Sequence, residues 1–132
     1  MLLDTCAALW LAQAEPLSAA AELAMAEAVE SGTLFVSPIM AWEIGLLVSR
    51  GRIFLSRSPA VWFEEMLDSG VALAAMPPRV LLDSSFLPGA PPRDPADRIM
   101  AATARAYGYR LMTRDRALLD YGEEGHVEVL AC

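Results

Sequence analysis

Four carboxylates in the sequence stand where an α/β chain places its chemistry. Asp4 directly follows the apolar Met1-Leu2-Leu3, and Asp115 lies just past Tyr109-Arg110-Leu111-Met112-Thr113. In open α/β sheets ligands bind beyond the carboxyl ends of the strands, so both acids fall at the useful end. Each also suits a plainer part, as a helix N-cap or turn residue. Glu43 says more. Its helical neighbours Ile39, Met40, Leu46 and Leu47 are all apolar, so it projects from a face meant for burial. A carboxylate taken out of water must neutralise, find a partner or hold a metal, and the structural alternative is an ion pair with an arginine. Asp97 repeats the pattern, with Met100, Ala101 and Ala104 continuing its face while Asp94 already serves as N-cap. Its alternative is an acid that complements the helix dipole. Asp68, Asp83, Asp120 and the glutamates between Ser18 and Ser31 read as solvated surface.

Four such acids from four separate elements cannot all be ionised together without cations. Hard oxygen donors select Mg²⁺ or Mn²⁺ over zinc. A site of that kind suits phosphodiester hydrolysis, in which metal activates the attacking water and stabilises the leaving oxygen. Other chemistries lack their residues. There is no lysine, which removes a Walker-type phosphate loop and Schiff-base catalysis. Cys6 and Cys132 with His126, the only histidine, cannot fill a structural zinc site. Cys6 as a nucleophile would need a histidine partner, and His126 lies far along the chain in a glycine-flanked turn. Cys6 reads better as a small core residue.

Short apolar strands alternating with helices must position these acids. Strands are expected at Met1–Asp4, Leu34–Ser37, Val71–Met76, Tyr109–Met112 and Val127–Leu130. Helices are expected from Thr5 to Ala14, from Ser18 to Ser31 with Gly32 as stop, and from Ser37-Pro38 to about Gly51. Ser58-Pro59 starts another through Asp68, and shorter ones cover Pro78–Leu87 and Arg114–Tyr121. Asp94-Pro95-Ala96-Asp97 carries three start signals at once: an N-cap, a proline at the first position and an acid in the first turn. That helix runs to about Tyr107, with Gly108 ending it. Gly89-Ala90-Pro91-Pro92-Arg93 is the one Pro/Gly-rich loop. Strands separated by helices imply a parallel sheet between helical layers.

Composition bounds the rest. The 132 residues are 55% hydrophobic and 20% charged, enough for one domain with a real core and unlike a disordered chain. No stretch reaches the roughly 20 apolar residues of a membrane span, and the first base is Arg50, so a secretory leader is not expected. The chain reads as cytoplasmic. Seventeen acids face ten arginines for a net charge of −7, and residues 1–49 hold six acids and no base. That balance opposes coating nucleic acid by bulk electrostatics, yet suits an acidic cluster neutralised by bound cations.

Taken in order, Leu2-Leu3-Asp4-Thr5, Ser37-Pro38 followed by Trp42-Glu43-Ile44, Arg93-Asp94-Pro95-Ala96-Asp97-Arg98 followed by Ala101-Ala102-Thr103-Ala104, and Thr113-Arg114-Asp115 resemble the PIN-domain ribonucleases, in the phrasing of VapC-type toxins. The resemblance spans essentially the whole chain. It implies a single compact α/β/α sandwich over residues 1–132 with a mainly parallel central sheet. It also implies Mg²⁺- or Mn²⁺-dependent endoribonuclease activity, a homodimer, and a cognate antitoxin protein as partner. By motif position the carried-over catalytic and metal-binding acids are Asp4, Glu43, Asp97 and Asp115, with Thr5 and Thr113 supporting them. Cys6 departs from the pattern, standing where close relatives often carry histidine. Contacts to the RNA substrate are expected from Arg93, Arg98, Arg114 and Arg116, with Arg50 and Arg52 secondary. The apolar helix Pro59–Asp68, with Val61, Trp62, Phe63, Met66 and Leu67, is expected to supply part of an interface. The rival reading is a catalytically silent PIN-fold module that binds RNA or protein. A haloacid-dehalogenase-like phosphotransferase is excluded, because it needs a second Asp where Cys6 stands and a lysine the chain lacks.

Overall fold

The computed structural model describes residues 1–132. In chain order the elements are β1 (Leu2–Leu3), α1 (Thr5–Ala12), α2 (Ala19–Glu30), β2 (Phe35–Val36), α3 (Pro38–Ser49), α4 (Pro59–Asp68), β3 (Ala72–Leu73), α5 (Pro78–Ser84), α6 (Pro95–Tyr107), β4 (Leu111–Thr113), α7 (Arg116–Glu123) and β5 (Val129–Ala131). All five strands are parallel, in the order β3-β2-β1-β4-β5. Leu2 pairs with Phe35 and Leu111, and Leu3 with Val36 and Met112. The chain builds outward from β1 through β2 to β3, then returns to the other side of β1 for β4. That reversal makes the end of β1 beside β4 the topological switch point, where open α/β sheets bind their ligands.

Period-two alternation splits the interior into two cores. Leu3, Val36 and Met112 face a layer containing Ala7, Ala8, Ala21, Met40 and Ile44. Leu2 and Leu111 face Met100, Ala101, Ala104, Leu118 and Tyr121 on α6 and α7. The helices begin where the capping residues stand. Ser18, Ser37 and Ser58 each accept a backbone N–H from the first turn of α2, α3 and α4, and Asp94 accepts from Ala96 and Asp97 at the start of α6. At the other end of α6, Gly108 takes φ 66° and lets Tyr109 N–H donate to Ala104 O at 2.9 Å. Such a left-handed residue closes a helix at little steric cost only when it is glycine.

The strands are shorter than the apolar runs that encode them. Ala74 N–H still donates to Val36 O, but β2 ends at once because Ser37 turns into the cap of α3. The expected strand Val71–Met76 therefore pairs only at Ala72–Leu73. The first helix stops at Ala12 instead of Ala14, which adopts φ 54°, and α5 stops at Ser84 instead of Leu87. In α4 no residue is fully buried. Trp62, Phe63, Met66 and Leu67 lie half-buried against the first core, leaving Val61 as its one exposed large apolar residue. The more exposed apolar side chains are elsewhere, at Phe54, Phe86, Leu23, Leu82 and Trp42. No helix is long and apolar enough to cross a membrane.

Candidate active site

Asp4 stands at the switch point. Its N–H extends the ladder to Met112 O at 3.1 Å, so its side chain is fixed by the sheet, and it is only 3% exposed. Oδ1 caps α1 by accepting from Ala7 N–H, and Oδ2 accepts from the hydroxyl of Thr113. Thr113, fully buried at the end of β4, also accepts from Asp115 N–H at 2.9 Å. One hydroxyl thus ties the acid after β1 to the acid after β4. Asp115 caps α7 through Leu118 N–H at 3.1 Å and is otherwise open to solvent. The cap reading and the site reading describe the same residues: a cap holds the carboxylate still at the strand end.

Glu43 lies one turn into α3, half-buried beside buried Met40 and Ile44. It accepts from the hydroxyl of Thr5. No arginine reaches it, and no ion pair in the structure involves Asp4, Glu43, Asp97 or Asp115. The alternative of an ion pair with arginine is therefore not realised. Asp97, half-buried on the first turn of α6, accepts no side-chain hydrogen bond of its own. Burial, followed by the charges of Asp115, Asp94, Glu43 and Asp4, pushes its carboxyl from 3.8 up to about 7. Burial raises Asp4 and Glu43 as well, against the opposing hydrogen bonds from Thr113 and Thr5. The charges of Asp4, Glu43 and Asp115 all reach Asp97, and the structure brings the four acids to one end of the sheet. As they stand, no three carboxylates form a ready-made nest for an ion. What the donor set offers is oxygen only, negative and unneutralised, which fits a hard divalent cation and leaves the acids repelling one another without it.

Cys6 is exposed, which corrects the expectation of a core residue. The first turn of α1 opens at the sheet's carboxyl edge, so the residue after Thr5 faces the site mouth and not the interior. Desolvation on its inner side, then the charges of Asp4, Glu43, Asp115 and Asp97, push the thiol up to about 11. It is protonated at neutral pH and unsuited to nucleophilic attack.

The four arginines expected to meet RNA divide into two pairs. Arg98 turns inward, donating to Ser84 O at 2.9 Å and Pro92 O at 3.2 Å. Arg114 stacks over Trp10 at 4.1 Å and donates to Cys132 O and Pro16 O. In both, part of the guanidinium already donates to backbone carbonyls. Arg116 pairs with Asp120 at 2.8 Å on the surface. Arg93 is exposed and free of any ion pair. It lines an open cleft of about 580 Å³ that runs from Asp97 and Asp115 to Asp94, Asp120 and Glu124, and it is the only base there. Glu124 had no signal in the sequence, since its partner Ala90 is 34 residues away.

A family model described as PIN domain matches residues 1–124. Ribonuclease VapC22 of Mycobacterium tuberculosis (strain ATCC 25618 / H37Rv) is 36% identical over 119 residues, covering 89% of this chain and 88% of that protein. Two solved structures resemble the fold. That of FitAB bound to the IR36 DNA fragment matches at TM-score 0.58 and 17% identity over 98% of this chain and 93% of its own. FitAcB from Neisseria gonorrhoeae matches at TM-score 0.54 and 18% identity, over 98% and 95%. At those identities the two structures speak for the fold alone.

Proposed function

Because the chain belongs to the PIN-domain family and stands among its VapC-type members, we propose that it is the endoribonuclease toxin of a toxin–antitoxin pair, acting in the cytoplasm. In this reading residues 1–132 form one nuclease domain, and Asp4, Glu43, Asp97 and Asp115 hold Mg²⁺ or Mn²⁺. The observation that carries it is the set of four carboxylates at the carboxyl end of the sheet, Asp4, Glu43 and Asp97 raised first by burial and then by neighbouring acids, and none of the four neutralised by an arginine. A silent binding module would have no use for that repulsion, which costs stability.

A bound divalent cation would supply an acidified water nucleophile and charge stabilisation at the phosphate. The chain's residues do the rest. Thr113 aims Oδ2 of Asp4 and, through the Asp115 N–H, fixes the spacing of these two acids. Thr5 holds Glu43 toward the same end. Asp97, with a carboxyl near 7, retains a proton in part at neutral pH and releases it when positive charge arrives. Arg93 offers an uncommitted charge to the RNA backbone. Single-stranded segments are the expected substrate, since their phosphodiesters and bases are accessible. A cognate antitoxin and a second copy of the chain are the proposed protein partners, for which exposed Phe86, Leu82, Phe54 and Trp42 provide apolar anchors.

The test is cleavage of single-stranded RNA by purified protein with Mg²⁺, with Mn²⁺ and with chelator. Wild type should cleave only with metal, and Asp115→Asn should lose at least about a hundredfold, in line with removing a group that acts at the reacting centre. Metal-independent cleavage, or an Asp115→Asn variant as fast as wild type, would overturn the reading.

A further inference from the structure

The Pro/Gly-rich loop between α5 and α6 forms one wall of the cleft beside the acids. It is pinned at successive points. The phenol of buried Tyr121 donates to Pro88 O at 2.9 Å, Glu124 Oε2 accepts from Ala90 N–H at 3.1 Å, and Arg98 donates to Pro92 O. Between the first two pins Gly89 adopts φ 69°, and a Cβ there would lie 2.2 Å from His126 Nε2 and 2.4 Å from Glu124 Oε2. The loop backbone at Gly89 therefore packs directly on the Glu124 and His126 side chains just past α7, with a positive φ that suits glycine. Glu124 holds this approach, with the His126 ring 3.4 Å from the same oxygen. The next residues along the loop are Arg93, the one base lining the cleft, and Asp94, the cap that starts the helix carrying Asp97.

We propose that Glu124 is a positioning residue for RNA binding: by accepting the Ala90 N–H it fixes the Gly89–Arg93 loop against α7 and so sets Arg93 at the cleft. The proposal rests on the nuclease reading above. An acidic residue inside a cleft meant for a polyanion is unfavourable as a contact, since it repels phosphate. It makes sense where its charge is spent on a backbone N–H, because hydrogen bonds to a charged acceptor are the stronger kind. Arg93 has no ion-pair partner to hold it, so its placement depends on the loop beneath it.

A double-mutant cycle separates this role from general stability. The probe is a fluorescent single-stranded 2′-O-methyl RNA, its affinity measured by anisotropy with Mn²⁺ present. Glu124→Ala should weaken binding about fivefold, as expected for losing one oriented contact. Glu124→Gln, which keeps an acceptor oxygen, should stay within about twofold of wild type by the same measure. In the Arg93→Ala background, Glu124→Ala should change affinity by less than about twofold, because the group it positions is gone. Hydrogen exchange at the Ala90 N–H should accelerate in Glu124→Ala and not in Glu124→Gln. Wild type that binds and cleaves RNA while Glu124→Ala binds as well, or an equal loss in both backgrounds, would overturn the role given to Glu124. Wild type that neither binds nor cleaves RNA would overturn the nuclease reading and this one with it.

Discussion

Replacing Asp97 by Asn should stabilise the metal-free protein at high pH and do nothing at low pH. The Asp97 carboxyl lies at about 7 in the folded chain against 3.8 for an ordinary aspartate. A raised acid binds its proton more tightly when folded, so its stabilising contribution is fully present below pH 4. It is lost as pH climbs from about 4 through 7, where the folded protein must carry a charge that burial and four neighbouring carboxylates oppose. The gap from 3.8 to about 7 would be about 4 kcal/mol at 1.36 kcal/mol per pH unit. Asp97 is only half-buried, and solvent screening brings the expected effect to about 1–2 kcal/mol. For a chain of this length each kcal/mol moves Tm by about 3–5 °C. Asp97→Asn should therefore melt about 3–10 °C above wild type at pH 8 in chelator, and within about 2 °C at pH 4. With Mn²⁺ the order reverses. A cation that binds only the folded cluster adds about 2.7 kcal/mol at a hundredfold excess over its Kd, and Asp97→Asn should gain much less. Asp68→Asn, on the exposed end of α4, should follow wild type throughout. Thermal unfolding of the three proteins at both pH values, with and without Mn²⁺, decides the matter. Equal Tm for Asp97→Asn and wild type at pH 8, or a gain of equal size at pH 4, would refute the crowding of these carboxylates.

Other outcomes follow from the same geometry. Thr113→Val keeps the shape but removes the donor to Asp4 and the acceptor for Asp115 N–H, so it should cost about 1–3 kcal/mol, read as urea unfolding; an unchanged midpoint would contradict the linkage. Arg114→Ala should lose about 1–2 kcal/mol of stability with its stacking on Trp10 and its carbonyl bonds, yet bind RNA within about twofold of wild type, whereas Arg93→Ala should bind several-fold more weakly at unchanged Tm. A fall in RNA affinity for Arg114→Ala alone would reverse those assignments. Sedimentation at micromolar concentration should show a dimer, and a heavier complex with the cognate antitoxin, while a monomer under both conditions would count against the proposed partners.

The acids were legible in the sequence because each stands at a local boundary: the end of an apolar run, a cap, or an apolar helical face. Asp94-Pro95-Ala96-Asp97 marks the start of α6 by three local signals, and the helix begins there. Strand lengths were not legible, because a strand ends where its neighbour does; Val71–Met76 is apolar throughout, but β2 stops beside Ala74. Strand order is likewise a property of the assembled sheet. The tethering of the arginines is hidden for a similar reason. Arg114 sits next to a site acid in sequence, but its carbonyl acceptor Pro16 is 98 residues away, and nothing nearby announces it. Cys6 precedes the apolar run Ala7–Ala12, and only the opening of α1 at the sheet edge turns it outward.

The central claim is that Asp4, Glu43, Asp97 and Asp115 jointly hold the cation on which RNA cleavage depends. Titrating Mn²⁺ calorimetrically into wild type, Asp4→Asn, Glu43→Gln, Asp97→Asn and Asp115→Asn, and timing RNA cleavage by the same samples, tests it most directly. The account predicts saturable Mn²⁺ binding by wild type, weakened by about tenfold or more in every variant, with cleavage falling alongside. Mn²⁺ binding that survives all four substitutions, or cleavage that persists where binding is lost, would contradict it.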